Sequence, residues 1–319
     1  MVQQRQRQAA PQTYQALRQE MLAVQRSQQR LQQSPRPLKA SEKRKAQQQV
    51  RDSTWDGGVI AEHMARADVV AQAWDLPHGC LLLWIPNTPS ALALAPRIAL
   101  GLEAILAWFR PTRPITTLLW WRDDPRQLGA NEWAGRRQVN GGWTVVGSDT
   151  ICVYRAEEWD RVVFHELIHA LEMDALMPEK PLACWGFPAG SRIQPTLFEA
   201  WTELLAEWFW CAWWGVPWDK QLAWSRGQAL QLLARRSGNT PWREDTSVFA
   251  YYVLKAALAP HLERLLVSGI PQDENALCGV TAGTLQELRE AAKHVQPGPI
   301  SLRMSYGGGG GSSSRSDTN

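Results

Sequence analysis

The sequence predicts an α+β fold, in which an N-terminal α/β half with a small mixed or antiparallel sheet precedes a mainly helical C-terminal half. Three observations predict it. Short apolar runs alternate with longer helix-like segments up to about residue 121. A Gly147-Ser148-Asp149 turn then separates two further short runs, as in an antiparallel hairpin. From Ala156 onward only helical periodicity remains.

In chain order, Val59 to Trp74 reads as a helix and Gly79 to Ile85 as a strand. Pro96 to Phe109 reads as a helix with Pro96 in its first turn. Ile115 to Trp121, Trp143 to Val146 and Thr150 to Tyr154 read as strands. Glu157 to Met173 is the first helix of the second half, followed by Pro178 and Pro181. Helices are then expected from Pro195 to about Trp214 and from Asp219 to Arg236, the latter ended by Ser237-Gly238-Asn239. Another runs from near Thr246 to Pro260, and a last one starts at the capping pattern Thr284-Leu285-Gln286-Glu287.

Composition bounds the rest. Residues 1–50 carry a local charge of +8, and the remainder −5. Residues 1–52 are thus a basic, Gln-rich arm, expected to be disordered or loosely helical. Its stretch Tyr14 to Leu31 lacks a wide apolar stripe and is expected to stay off the core. The arm offers contact with an acidic partner or nucleic acid. Residues 53–303 form one domain, and 304–319 a Gly/Ser tail expected to be flexible. The 18 tryptophans suit a wide core or a lined cleft. The five cysteines are widely spaced without CxxC, so neither a disulfide framework nor a cysteine metal cluster is expected. No signal segment and no uncharged apolar run of about 20 residues is present, so an intracellular location, cytoplasmic or virion-associated, with no membrane contact is expected.

The segment Val163 to Leu171 contains H-E-x-x-H in an apolar helical setting. Histidines at i and i+4 share a helix face, so His165 and His169 can reach one Zn²⁺ ion. Glu166 can hold a water on the metal, take its proton and deliver it to a leaving amine. The competing reading is a pair of histidines satisfied inside a core.

A catalytic zinc needs a third protein ligand and an open position. Metzincins use a histidine six residues after the second; here that position is Ala175. Asp174 reads as a surface acid at the helix end. Glu199, Glu203 and Glu207 recur at four-residue spacing among Trp201, Leu204, Leu205 and Trp208. Three aligned acids on an apolar helix resist burial unless a cation relieves them. Glu199 is the expected ligand, and Glu203 the acid that orients a zinc histidine. The sequence leaves those roles exchangeable.

The E-x-x-x-E after H-E-x-x-H resembles the gluzincin arrangement of thermolysin-like peptidases. The blocks Asn140 to Thr144, Ile151 to Trp159, His165 to His169 and Val248 to Lys255 resemble those of uncharacterised metallopeptidases from large DNA viruses and algae. The resemblance spans Asn140 to Lys255. It implies a zincin-like fold and a zinc-dependent peptidase acting on a peptide or protein substrate.

Tyr251 and Tyr252 are the expected oxyanion donors, with core packing as the alternative for both. Thr150 to Tyr154 is the expected edge strand for an extended substrate, with a tight turn at Asn140-Gly141-Gly142 beside it. Two other functions compete with hydrolysis. One is an inactive zincin-fold binding protein; the other is a nucleic-acid-associated protein acting through the arm.

Overall fold

The computed structural model describes residues 13–27, 34–56, 58–129, 132–175, 183–187, 191–192, 196–235, 242–271 and 273–306. The expectations at Pro178, Pro181, Pro195, Ser237-Gly238-Asn239 and the tail from Gly307 lie outside these residues.

The N-terminal half holds helices α1 (Tyr14–Ser27), α2 (Ala40–Asp52) and α3 (Val59–Met64), then strands β1 (Val69–Leu76) and β2 (Gly79–Pro86). Helix α4 (Pro89–Phe109) leads to β3 (Ile115–Trp120), β4 (Gln127–Leu128), the short α5 (Arg136–Val139), β5 (Gly142–Thr144) and β6 (Thr150–Val153). The helical half holds α6 (Trp159–Ala170), α7 (Leu197–Trp214), α8 (Trp218–Ala234) and a π-helical turn (Phe249–Leu254). It continues through α9 (Lys255–Leu258), α10 (Leu262–Ser268) and α11 (Glu274–Ala292) to β7 (Ile300–Ser301). This is the α+β arrangement the patterning predicts.

The main sheet has the order β1-β2-β3-β6-β5. Strands β2, β3 and β6 run parallel, while β1 and β5 are antiparallel edges. Both faces are covered, which explains the unbroken apolar run of β2. Leu81, Leu83 and Ile85 face the main core, whereas Leu82 and Trp84 face a second cluster. That cluster contains Ala46 of α2, Ile60 of α3, Trp120 and Trp143. The Trp84–Trp120 and Trp120–Trp143 rings stack at 5.3 and 5.9 Å.

Several expected elements are corrected. Helix α3 stops at Met64, and Val69–Leu76 is a strand, because its residues pair along the whole of β2. Helix α4 begins at Pro89, capped by Thr88, so Pro96 lies inside it. It is long and apolar enough to cross a membrane by length and composition, but half of the tested window is buried in the fold. Helix α11 begins at Glu274, ten residues before the expected capping pattern, and is capped by Asp273, whose carboxylate accepts from Ala276 N at 2.9 Å. Cys184 and Cys278 are disulfide-bonded across 94 residues, a pairing their spacing did not signal.

The arm is also corrected. Leu17 and Met21 of α1 are fully buried in the main core, and the Tyr14 hydroxyl donates to Val216 O beyond the end of α7. Its apolar stripe is narrow, but α7 is buried from Ala200 to Trp213 and accepts it. At the other end, Met304 and Ser305 are buried, so the body extends past residue 303.

Candidate metal centre

Helices α6 and α7 pack side by side and carry the predicted ligands. Helix α6 buries every residue from Asp160 to Ala170, which fixes its rotation. Helix α7 starts at Thr196, whose hydroxyl accepts from Glu199 N at 3.2 Å, and ends at Gly215 in the left-handed conformation. These ends set which turn of α7 faces the histidines.

His165 Nε2 and His169 Nε2 are 3.1 Å apart, and each lies 3.6–3.7 Å from Glu199 Oε2. A tetrahedral ion with ligand bonds of about 2.0–2.1 Å has ligand–ligand edges of about 3.3 Å. The observed triangle matches that size. Glu199 Oε2 is sealed from solvent without a hydrogen-bond partner, although the side chain as a whole is 24% exposed. One carboxylate oxygen thus faces the histidines, and the group remains open to the cleft.

Each opposite ring nitrogen faces an acid. His165 Nδ1 lies 2.9 Å from Glu203 Oε2, and His169 Nδ1 lies 2.5 Å from Asp174 Oδ2. With protons on Nδ1, both Nε2 lone pairs point at the same spot, which an ion would satisfy. Asp174 is therefore not the surface acid its position suggests. It is fully buried, and its Oδ2 also accepts from the Thr202 hydroxyl at 2.5 Å. Glu203 supports His165 as expected, and its other oxygen accepts from Arg161 Nη1 at 2.5 Å. Glu207 turns away, paired with Lys255 and Ser225.

Burial alone would lower both histidine pKa values, but the facing carboxylates raise them. Glu199 moves the other way: burial would raise it, but the two histidines hold it well below the usual range. Burial pushes Glu166 up to about 7, against the pull of His165 and His169.

Glu166, Tyr251, Gly141 and Gly142 line a pocket of about 30 Å³ beside His165. The Asn140-Gly141-Gly142 segment is bare for a steric reason. A Cβ on Gly142 would sit 2.5 Å from Cys152 O and 2.8 Å from Glu166 Oε1. Tyr251 approaches the His165 ring at 5.9 Å; burial, then the charges of Glu199, Glu166 and Glu203, raises its pKa well above 10. Tyr252 is corrected to a core residue, since its hydroxyl donates to Leu302 O at 2.7 Å away from the pocket lining. The edge strand is corrected too: β6 lies between β3 and β5, so among the described residues β5 is the sheet edge beside the helix that carries His165 and His169.

The lead into α6 braces the pocket, a role the sequence did not disclose. Arg155 donates to the carbonyls of Asp124, Arg137 and Asn140. Glu157 accepts from Arg126 N at 2.5 Å. Glu158, held at φ +59°, accepts from Met304 N, Ser305 N and Arg126 Nη1. No family model, curated protein or solved structure matches the chain.

Proposed function

We propose that this chain is a zincin-like metallopeptidase of the gluzincin type that hydrolyses peptide bonds. The carrying observation is the convergence of His165 Nε2, His169 Nε2 and Glu199 Oε2, each aimed at one point and each backed by burial or a partner acid. Two imidazoles and one carboxylate are the donor set of hydrolytic zinc sites with an open fourth position. A zinc ion there supplies Lewis acidity, lowering the pKa of water and drawing charge from a carbonyl oxygen.

The protein's own groups supply the rest. Glu166, one residue from a ligand and lining the pocket, accepts the proton of the attacking water and returns it to the leaving amine. Tyr251 donates its hydroxyl to the carbonyl oxygen as negative charge develops there. Glu203 and Asp174 hold the two imidazoles in the orientation that presents Nε2. An extended substrate adds to the outer edge of β5, which pairs with β6 on its other side.

The test is a peptide-library digest read by mass spectrometry, run beside metal analysis of the wild type, Glu166→Gln and Glu199→Ala. The reading expects about one zinc in wild type and Glu166→Gln, and a fall in hydrolysis of roughly 10²–10⁴-fold in the latter. Glu199→Ala is expected to lose the metal. Unchanged cleavage in Glu166→Gln, or full zinc content in Glu199→Ala, would sink the mechanism.

A further inference from the structure

Beyond the metal ligands, the pocket has a basic wall that peptide hydrolysis does not itself require. Arg126 and Arg161 both line it, and both are buried, at 1% and 2% exposure. A guanidinium carries five N–H donors in a fixed fork. Arg161 spends Nη1 on Glu203. Arg126 donates from Nη1 to Glu158 at 3.2 Å, and its Nε is sealed without a partner. Among the described residues its Nη2 makes no hydrogen bond.

The two acids bonded to these arginines are already committed. Glu158 also accepts from Met304 N at 3.1 Å and from Ser305 N at 2.8 Å and the Ser305 hydroxyl. Both oxygens of Glu203 are taken, one by Arg161 and one by His165. Arg126 Nη2 is thus left to an incoming acceptor, and an anionic one bonds a guanidinium most strongly.

The two glycines locate the acceptor. A Cβ on Gly141 would overlap Arg126 Nη2, whereas one on Gly142 would meet the Glu166 carboxylate. The guanidinium and the carboxylate that handles the proton thus line one small pocket. The cavity is small and its remaining walls include Val139, Val162 and Met304, so it suits a compact group.

We propose that Arg126, braced by Glu158 and flanked on the pocket wall by Arg161, binds a carboxylate on the substrate residue adjoining the scissile bond. The carboxylate belongs either to an acidic side chain or to a free C-terminus. The word substrate rests on the peptidase reading; the anion pocket does not.

The test uses the full-length chain after chelation, so that no carboxylate is held by a metal. Binding of three probes is measured by calorimetry or NMR: acetyl-aspartate amide, acetyl-glycine acid and acetyl-asparagine amide. At least one acid is expected to bind at least about tenfold more tightly than the neutral amide. Which acid does so separates side chain from C-terminus. Arg126→Met is expected to erase the difference and Arg126→Lys to retain part of it. If Arg126→Met does not fold, the acid–amide contrast on wild-type protein still decides. Equal binding of all three probes overturns the proposal. A library digest by the metal-loaded chain separates the two readings. Cleavage without acid-selective binding removes the anion pocket and leaves the peptidase. Acid-selective binding without cleavage does the reverse.

Discussion

Asp174 Oδ2 lies 2.5 Å from His169 Nδ1, although Asp174 follows the end of the helix that carries His169. The chain reverses through Glu172, at φ +55°, and Met173 N donates to Ile168 O at 2.9 Å. This reversal folds Asp174 back against its own helix. Replacing Asp174 by Ala removes the group that fixes the His169 ring, and is expected to weaken metal affinity about 10–100-fold. Competition with a chromophoric chelator measures it; unchanged affinity would mean that Asp174 serves packing alone.

Metal binding should release protons. In the metal-free protein both histidines are raised above 6.5 by the facing carboxylates, which outweigh burial. Their stabilisation of that form is complete below the unfolded value and is lost as pH rises through the raised folded values. An ion needs the deprotonated rings. The difference in Tm between loaded and chelated protein is therefore expected to widen from about pH 6 to about pH 9. Melting curves across that range check the sign; a narrowing gap would contradict it.

Glu166 carries a stability cost. Burial lifts its carboxyl to about 7, above the 4.5 of an exposed glutamate. Its ionisation therefore disfavours the fold increasingly above pH 4.5. In chelated protein Glu166→Gln is expected to gain roughly 1–3 kcal/mol at pH 8 and little near pH 4. Denaturant titrations at the two pH values provide the comparison. A loss of stability at pH 8 would show that the carboxylate is held by a favourable partner instead.

Leu17 tests the first helix. It is fully buried against the main core, so Leu17→Ala is expected to cost about 2–5 kcal/mol of unfolding free energy. A change within about 0.5 kcal/mol would mean that α1 detaches in solution.

The candidate metal site was legible because its spacing is local. His165 and His169 recur one turn apart, and Glu199 and Glu203 do so on a second helix, so each pair declares a shared face. Which glutamate meets the imidazoles depends on how the two helices dock, and sequence spacing does not encode that. Asp174 was misread because the reversal at Glu172 uses no glycine, so no turn signal marks it. Arg126 and Glu158 join the site from separate stretches through tertiary contacts. In the fold, Val69–Leu76 was misread because its apolar residues follow directly on a helical stretch; its pairing with β2 makes it a strand. Helix α11 was shortened because Gly279 and Gly283 interrupt its helical appearance, yet Asp273 caps it upstream.

The seating of Leu17, Met21 and Ala46 has a practical consequence for anyone trimming this molecule. Cutting the chain at residue 53 would not shed a loose charged extension; it would strip a wedge from one side of the body and a cover from the other. A shortened preparation that failed to bind a partner would then report collapse rather than a missing contact. Charge-reversing Lys43 and Arg44, which are solvent-facing on the second helix, isolates the electrostatics with the architecture left whole.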